Sequence, residues 1–382
     1  MAAYRASTLR TRLLLGVLAA VSLVALFTTR VSRKMPDFEV YWTAGSRALA
    51  AQPLYRVEDG HYQFKYLPAF ALLAVPLALL PLGAAKALWF AASAVLMLVL
   101  LGLSARALPD PKRPIVLLLV LTFLAMAKFY AHELVLGQVN ILFAVIVVLA
   151  IVELRNGREW TAGLLIALAI VVKPYAVLFV PWLAMRPARG ALVGTVVGVA
   201  VALAIPATIY GWTGNVQLLR EWWQTVTTST APNLRNPDNV SLAAFFTKWM
   251  GPEPAASTLA WLSGGLLLAL TAIVVFVRRT VPHPEPLEGF LLLMLIPLLS
   301  PQGWDYVFLI STPAVMLLID RLRMLPRDLR VATAAAMAIA ALSIYDLMGR
   351  HAYATFMALS LITVCFLIEV ASLITLRFRR VA

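Results

Sequence analysis

Long apolar stretches follow one another along almost the whole of this 382-residue chain, separated by short polar segments. The apolar blocks recur from residue 13 to residue 376, with one long interruption between residues 212 and 253. A helix needs about 20 apolar residues to cross the hydrocarbon core of a membrane. The pattern therefore predicts an all-α polytopic membrane protein, with one integral-membrane domain over residues 1–382.

Composition supports a membrane environment. Hydrophobic residues make up 62% of the chain and charged residues 13%, and the mean hydropathy is +0.87. This leaves too little polar surface for a soluble globule. The net charge of +14 is spread over several loops rather than gathered in one patch, so we expect no nucleic-acid partner. The single cysteine, Cys365, lies in an apolar run and cannot form an internal disulfide framework or a thiolate metal site.

The basic residues give the predicted helices an orientation. Nineteen of the 32 Lys and Arg residues lie at the N-terminus and in the segments 106–113, 155–158, 186–189, 278–288, 320–330 and 377–380. Cytoplasmic loops of membrane proteins are enriched in these residues. The distribution predicts both termini in the cytoplasm and about 12 crossings (11–13) of the cytoplasmic (inner) membrane.

Two apolar stretches do not fit regular spans. Residues 67–105 are too long for one crossing and contain three prolines, whereas residues 159–185 are too short for two and are divided by Lys173-Pro174. Broken helices are tolerated at membrane depth only where protein or a water-filled cavity satisfies the freed backbone groups. The breaks therefore indicate a cavity.

The first outer loop, residues 30–66, carries the most informative pattern. Its segment 36–49 places Phe38, Tyr41 and Trp42 on neighbouring helical faces, which predicts a helix lying along the membrane surface. Asp37 stands in the first turn of this helix, where the helix dipole favours an ionised carboxylate. Stabilisation of that turn is the structural alternative to a chemical role for Asp37.

A set of short motifs begins in this loop and extends over most of the chain. In order, they are Asp37-Phe38-x-Val40-Tyr41-Trp42-x-Ala44-Gly45, Leu54-Tyr55, Phe64-Lys65-Tyr66-x-Pro68-x-Phe70-Ala71-Leu72-Leu73, Gly137-Gln138-x-Asn140, Lys173-Pro174, Asn239-x-Ser241-Leu242, and Leu299-Ser300-Pro301 before Trp304. Together, over residues 36–320, they resemble the polyprenyl-phosphate-mannose-dependent mannosyltransferases of glycosyltransferase family 87. Two positions differ from the family pattern: Leu67 replaces a proline, and Asp305 follows Trp304 where many relatives carry histidine.

The resemblance implies a helical bundle of the GT-C type with its active site on the outer side, formed by loops 30–66 and 212–255. It also implies inverting transfer of a hexose, with mannose the first expectation, from a polyprenyl-phosphate donor to a lipid or glycan acceptor. Asp37 would be the general base. Membrane lipids are the other expected partners, and no cofactor is expected.

Such a transfer needs a base, positive charge for the departing phosphate, and access for a lipid. Asp37 can accept the proton of the attacking hydroxyl, a role typically worth about 100-fold to 10,000-fold in rate. Lys65, Lys173 and Arg235 are candidates to neutralise the phosphate. A lysine inside an apolar stretch is costly and indicates function, as for Lys173, whereas Lys65 has the alternative of snorkelling to the headgroups.

Other polar residues near the outer ends of spans are candidates for binding sugar or acceptor. They are Glu39, Tyr41, His132, Glu133, Gln138, Asn140, Asn239, Trp304 and Asp305. Interfacial polarity or solvation is the alternative for His132, Glu133 and Asp305. A divalent metal between Asp37 and Glu39 is disfavoured, because residues two apart on a helix do not face each other.

Three other functions stay open on the sequence alone. A secondary transporter or lipid flippase would also have broken helices and intramembrane charge, but its breaks should be paired in two repeated halves. The same fold can serve a pentose or aminosugar donor. The third alternative is a non-catalytic assembly partner.

Overall fold

The structure is a computed structural model, and it describes residues 16–18, 21–277 and 283–379. Helices make up 82% of it, and the described ranges contain no β-strand, with one isolated bridge between Asn239 and Trp304. The all-α prediction is confirmed. Both chain termini lie outside the described residues.

The α-helices are α1 (Pro36–Leu49), α2 (Pro68–Ala78), α3 (Leu82–Ala107), α4 (Ile115–Leu136), α5 (Asn140–Arg155), α6 (Glu159–Val172), α7 (Phe179–Ala184), α8 (Arg189–Ala204), α9 (Ala207–Thr228), α10 (Thr230–Asn233), α11 (Leu242–Met250), α12 (Pro254–Val277), α13 (Glu285–Leu299), α14 (Thr312–Arg321), α15 (Arg327–Leu342), α16 (Tyr345–Met348), α17 (Arg350–Ala358) and α18 (Leu361–Phe378). A π-helical segment, Phe27–Val31, precedes α1. Short 3₁₀ segments cover Val57–Tyr62, Pro174–Leu178, Asp305–Ser311 and Leu322–Met324.

Four of the described helices are long and apolar enough to cross a membrane, namely α3, α4, α12 and α18. The number rises to six if two bent pairs each count as one span. These pairs are Gly16–Val31 with α1, bent by 83°, and α8 with Ala207–Asn233, bent by 92°. Several other apolar helices are shorter than a span, such as α5 with 16 residues and α13 with 15. The prediction of about 12 crossings and the interfacial position of α1 are therefore not confirmed.

The two helix breaks lie at Pro81 and Pro174, whereas Pro76 lies inside helix α2. Helix α2 ends at Ala78 and α3 begins at Leu82, directly after Pro81. Helix α6 ends at Val172, and Lys173 takes an extended conformation before the 3₁₀ segment Pro174–Leu178. The Lys173 backbone is still anchored, because its N–H donates to the Ala169 carbonyl at 2.7 Å.

Helix α13 forms the centre of the bundle. Its residues from Pro286 to Leu298 are all buried, as expected for a helix that is apolar on every side. The buried charge near its start, Glu288, accepts hydrogen bonds from Arg186, from Arg377 at 2.8 Å and from the Trp182 indole at 2.9 Å. These contacts join α13 to α7, to the segment after α7 and to α18.

Candidate active site

The position of Asp37 is set by a tight junction between the end of α4 and the start of α1. Gly137 ends α4 in the left-handed region at φ +69°, and a Cβ there would lie 2.8 Å from the Cβ of Phe38. Met35 also takes a positive φ of 67° before α1, and its N–H donates to the Val135 carbonyl at 3.0 Å. The junction therefore brings Asp37 beside Gln138, which follows Gly137 in the chain.

A cavity of about 320 Å³ opens at this junction. Its walls come from α1, the loop before α2, the end of α4, the α6–α7 break, α9 and the segments on either side of the Asn239–Trp304 bridge. The predicted site residues that line it are Asp37, Tyr41, Lys65, His132, Gln138, Lys173, Trp304 and Asp305. Segments far apart in the chain thus meet around one polar space.

Asp37 is half-buried at one end of the cavity, outside the four long spans. Burial raises the pKa of Asp37 above its usual value of 3.8. The Gln138 side chain, which hydrogen-bonds the carboxylate, and the charges of Lys173, His61 and Lys65 lower the pKa but do not cancel the effect of burial. Asp37 is accordingly a stronger base than an exposed aspartate.

A hydrogen-bond network fixes the amide of Gln138. The Tyr41 hydroxyl donates to Gln138 Oε1 at 2.9 Å and lies 2.8 Å from the Tyr66 hydroxyl, while Gln138 Nε2 donates to the Tyr306 hydroxyl at 3.3 Å. Because Tyr41 occupies the amide oxygen, the amide NH₂ is the group directed to its other partners. Gln138 thus connects α1, the loop before α2 and the segment after α13.

Two lysines share the Asp37 end of the cavity. Burial lowers the pKa of Lys65, an effect that the Asp37 carboxylate partly offsets. Lys173 is buried, and its Nζ lies 5.8 Å from the centre of the Tyr66 ring. Two cations beside one carboxylate form a site suited to an anionic group.

Asp305 belongs to a second set of charged residues in the same cavity. It is fully buried, and its two carboxylate oxygens lie 3.4 Å from Lys128 Nζ and 3.4 Å from His132 Nδ1. Burial alone would raise the pKa of Asp305, but His132 and Lys128 outweigh it and the net pKa is lowered. Asp238, whose carbonyl accepts from the Asp305 N–H at 2.9 Å, has its pKa raised by burial and by the neighbouring Asp305.

The remaining predicted residues do not line the cavity. Glu39 pairs with Lys86 at 2.5 Å and faces a neighbouring recess, and Arg235 is exposed. Glu133 is fully buried and accepts from Asn140 Nδ2 at 2.8 Å, so this pair braces the Gly137 turn from inside. Asn239 donates to the carbonyls of Asn233 and Pro301 and holds the bridge to Trp304.

Several cavity residues were missed by the sequence analysis, including His61, Asp238, Gln302 and Tyr306. Lys128, which contacts Asp305, was not among the predicted site residues either. It carried the same signal as Lys173, a lysine next to a long apolar run. Among the described residues, no group of three or more His, Cys, Asp or Glu side chains is placed to hold a metal ion.

A polar cavity with fixed carboxylates and lysines inside a bundle of apolar helices is typical of an integral-membrane enzyme. The family model of glycosyltransferase family 87 matches residues 64–301, more than half of the chain, so this protein belongs to that family and is a membrane glycosyltransferase. Searches of curated proteins and of solved structures find no match. The matched range begins after Asp37 and ends before Trp304 and Asp305.

Proposed function

We propose that this protein transfers a hexose, with mannose the first choice by family resemblance, from a polyprenyl-phosphate donor to a lipid or glycan acceptor. The reaction takes place at the outer face of the cytoplasmic membrane and inverts the anomeric centre. The observation that carries the proposal is the grouping of Asp37, Lys65 and Lys173 at one end of the same cavity.

The reaction is a single displacement. An acceptor oxygen forms a bond to the anomeric carbon while the bond from that carbon to the phosphate oxygen breaks, and the phosphate leaves with the bonding electrons. The proton of the acceptor hydroxyl passes to Asp37. Lys65 and Lys173 neutralise the charge that grows on the departing phosphate, which is usually the largest contribution to such catalysis. Attack from the face opposite the phosphate produces inversion.

Asp37 is a better candidate for the base than Asp305. Burial raises the pKa of Asp37, whereas two cations at 3.4 Å lower the pKa of Asp305. A base whose pKa lies nearer to the working pH takes a proton more effectively in the transition state. The Gln138 contact orients Asp37 for this role.

Sugar and acceptor contacts are assigned to the cavity residues Gln138, His132, Trp304 and Asp305. Trp304 is half-buried and offers an apolar ring to one face of a sugar. Glu39, Glu133, Asn140 and Asn239 support the surrounding structure instead, because their side chains lie outside the cavity and pair with neighbouring groups. Arg235 is exposed and does not line the cavity. Tyr41 acts through Gln138, since its hydroxyl is already paired.

The test is a transfer assay with purified protein in lipid vesicles. Radiolabelled polyprenyl-phosphate mannose, glucose and arabinose are supplied separately, with membrane extract as the source of acceptor. We expect Asp37→Asn to lower transfer about 100-fold to 10,000-fold. Asp59→Asn is the matched control, because this carboxylate of the same loop pairs with Arg47 outside the cavity.

Undiminished transfer by Asp37→Asn would remove Asp37 from the role of base. The three donors separate the hexose assignment from the pentose alternative. Incorporation from arabinose but not from mannose would keep the fold and the base while changing the sugar.

A further inference from the structure

The Asp305 end of the cavity contains a buried carboxylate whose contacts with the surrounding donors are long. Asp305 is 0% exposed and lines the cavity, and within the described residues its contacts with Lys128, His132 and the Tyr306 N–H are too long or too poorly aligned to make strong hydrogen bonds. The nearest cationic atoms, on Lys128 and His132, stand at 3.4 Å. A carboxylate can accept about four hydrogen bonds, so Asp305 keeps capacity for donor groups of a ligand.

Lys128 holds the charge on Asp305 in place. Its side chain is 7% exposed, and its Nζ donates to the Ser343 hydroxyl at 3.0 Å. The ammonium also lies 5.5 Å and 5.6 Å from the ring centres of Phe129 and Tyr353. An ionised carboxylate only accepts hydrogen bonds, so the ligand groups that complete Asp305 must be donors.

The cavity has two ends with separate charged groups. Asp37 is influenced by Lys173, His61 and Lys65, whereas Asp305 contacts Lys128 and His132. Tyr306 links the two charged groups, because its hydroxyl accepts from Gln138 and its backbone follows Asp305. In the proposed displacement, the acceptor oxygen, the anomeric carbon and the phosphate occupy the Asp37 end. The other hydroxyls of the donor sugar must then extend into the rest of the cavity.

We propose that Asp305 recognises free hydroxyl groups of the donor sugar, and that Lys128 is the positioning residue that keeps the Asp305 carboxylate ionised and in place. This inference rests on the proposed function and narrows its donor to a neutral sugar with adjacent unsubstituted hydroxyls. Two carboxylate oxygens match two neighbouring O–H donors. An acidic sugar is excluded, because its carboxylate would meet Asp305 and Asp238 at the same end.

The experiment measures binding without turnover, in protein that carries Asp37→Asn throughout. Intrinsic tryptophan fluorescence reports occupancy, since Trp304 lines the cavity next to Asp305. The two probes are polyprenyl-phosphate mannose and polyprenyl phosphate without sugar. We expect Asp305→Asn to weaken binding of the mannose lipid about 10-fold to 100-fold, the value of a hydrogen bond to a charged group. Binding of the sugar-free lipid should stay unchanged.

Lys128→Met tests the same contact without altering Asp305, so the question can be answered even if Asp305→Asn does not fold. Lys128→Met should weaken binding of polyprenyl-phosphate mannose but not of the sugar-free lipid, and Lys128→Arg should bind the mannose lipid as the parent does. Lys86→Met is the matched control, because Lys86 is another buried lysine of a long apolar helix but pairs with Glu39 outside the cavity.

Equal binding of the mannose lipid by Asp305→Asn and its parent would overturn the inference. Equal loss of both probes would overturn it as well, since this would show general damage to the cavity. Because all variants lack Asp37, these outcomes do not depend on the identity of the base. Transfer that survives Asp37→Asn would reject the proposed base and leave the sugar contact standing.

Discussion

Asp37 and Asp305 face the same cavity with opposite electrostatic surroundings. Burial dominates at Asp37 and raises its pKa, whereas nearby cations dominate at Asp305 and lower its pKa. When their surroundings give two carboxylates different pKa values, the two groups can take different chemical roles. In the proposed reaction, Asp37 exchanges a proton and Asp305 stays a fixed acceptor of hydrogen bonds.

The acid side of the pH–rate profile should report Asp37. Transfer, measured as kcat/KM, should fall as pH decreases through the raised pKa of Asp37, because a protonated carboxyl cannot take the acceptor proton. Lys65 lowers this pKa, so Lys65→Met should move the acid limb to higher pH. Lys34→Met is the control, since Lys34 is exposed and does not line the cavity. An acid limb that moves to lower pH in Lys65→Met would contradict the assignment.

Residue chemistry could be predicted only where the sequence itself is unusual. Asp37 stood out in the first turn of a helix at the end of an apolar run, and Lys173 stood out inside an apolar stretch. The pairing of Glu133 with Asn140 could not be predicted, because it depends on the chain reversal at Gly137. Burial of a side chain such as Asp305 is a property of the assembled bundle rather than of local sequence.

At the scale of elements, the turn that ends α4 controls where α1 begins. Gly137 combines a positive φ with direct contact to Phe38, and its carbonyl accepts from the Trp89 indole at 2.9 Å. Three helices, α1, α3 and α4, therefore meet at one backbone position. The direction of α1, and with it the place of Asp37, follows from this contact.

Substitution of Gly137 by alanine tests this control. The left-handed backbone alone costs about 1–3 kcal/mol, and a Cβ placed 2.8 Å from Phe38 must also displace the start of α1. We expect a lower thermal unfolding temperature together with at least a tenfold loss of transfer, measured by a melting curve and by the vesicle assay.

Gly251→Ala separates the cost of a positive φ from the displacement of α1. Gly251 also has a positive φ, of 82° with ψ 177°, a backbone region that disfavours alanine even more strongly, but a Cβ there would meet nothing within 4 Å. This variant should lose some stability and keep its activity. Equal activity of Gly137→Ala and Gly251→Ala, relative to the parent, would show that the α1–α4 contact does not position Asp37.

Helix breaks were predictable from the sequence, whereas the number of crossings stays a prediction. Proline removes a backbone donor and clashes with the preceding turn, so Pro81 and Pro174 mark helix boundaries directly. The crossing count rested on apolar length and on the distribution of basic residues, but α5 and α13 are shorter than a full span. Short helices pack inside the bundle, where other helices replace lipid.

At the scale of the whole molecule, the distribution of positive charge still predicts one orientation. It places the loop 30–66 outside and the segment 320–330 in the cytoplasm. Labelling single cysteines in sealed right-side-out vesicles checks this, in a Cys365→Ser background. A membrane-impermeant maleimide should reach Glu58→Cys without detergent, and Arg323→Cys only after detergent, because both positions are exposed on the protein surface. The reverse pattern would invert the topology and place Asp37 on the cytoplasmic side.

The cavity has one further kinetic consequence for the proposed donor. We expect the headgroup of the proposed donor to occupy the cavity of about 320 Å³ while its polyprenyl tail stays among the acyl chains. The enzyme and the donor lipid then meet by lateral diffusion. The donor concentration that the enzyme experiences is therefore the mole fraction of donor in the bilayer. With the acceptor at saturating concentration, diluting vesicles with buffer should leave the turnover per enzyme unchanged, whereas adding inert phospholipid at constant carrier should slow it.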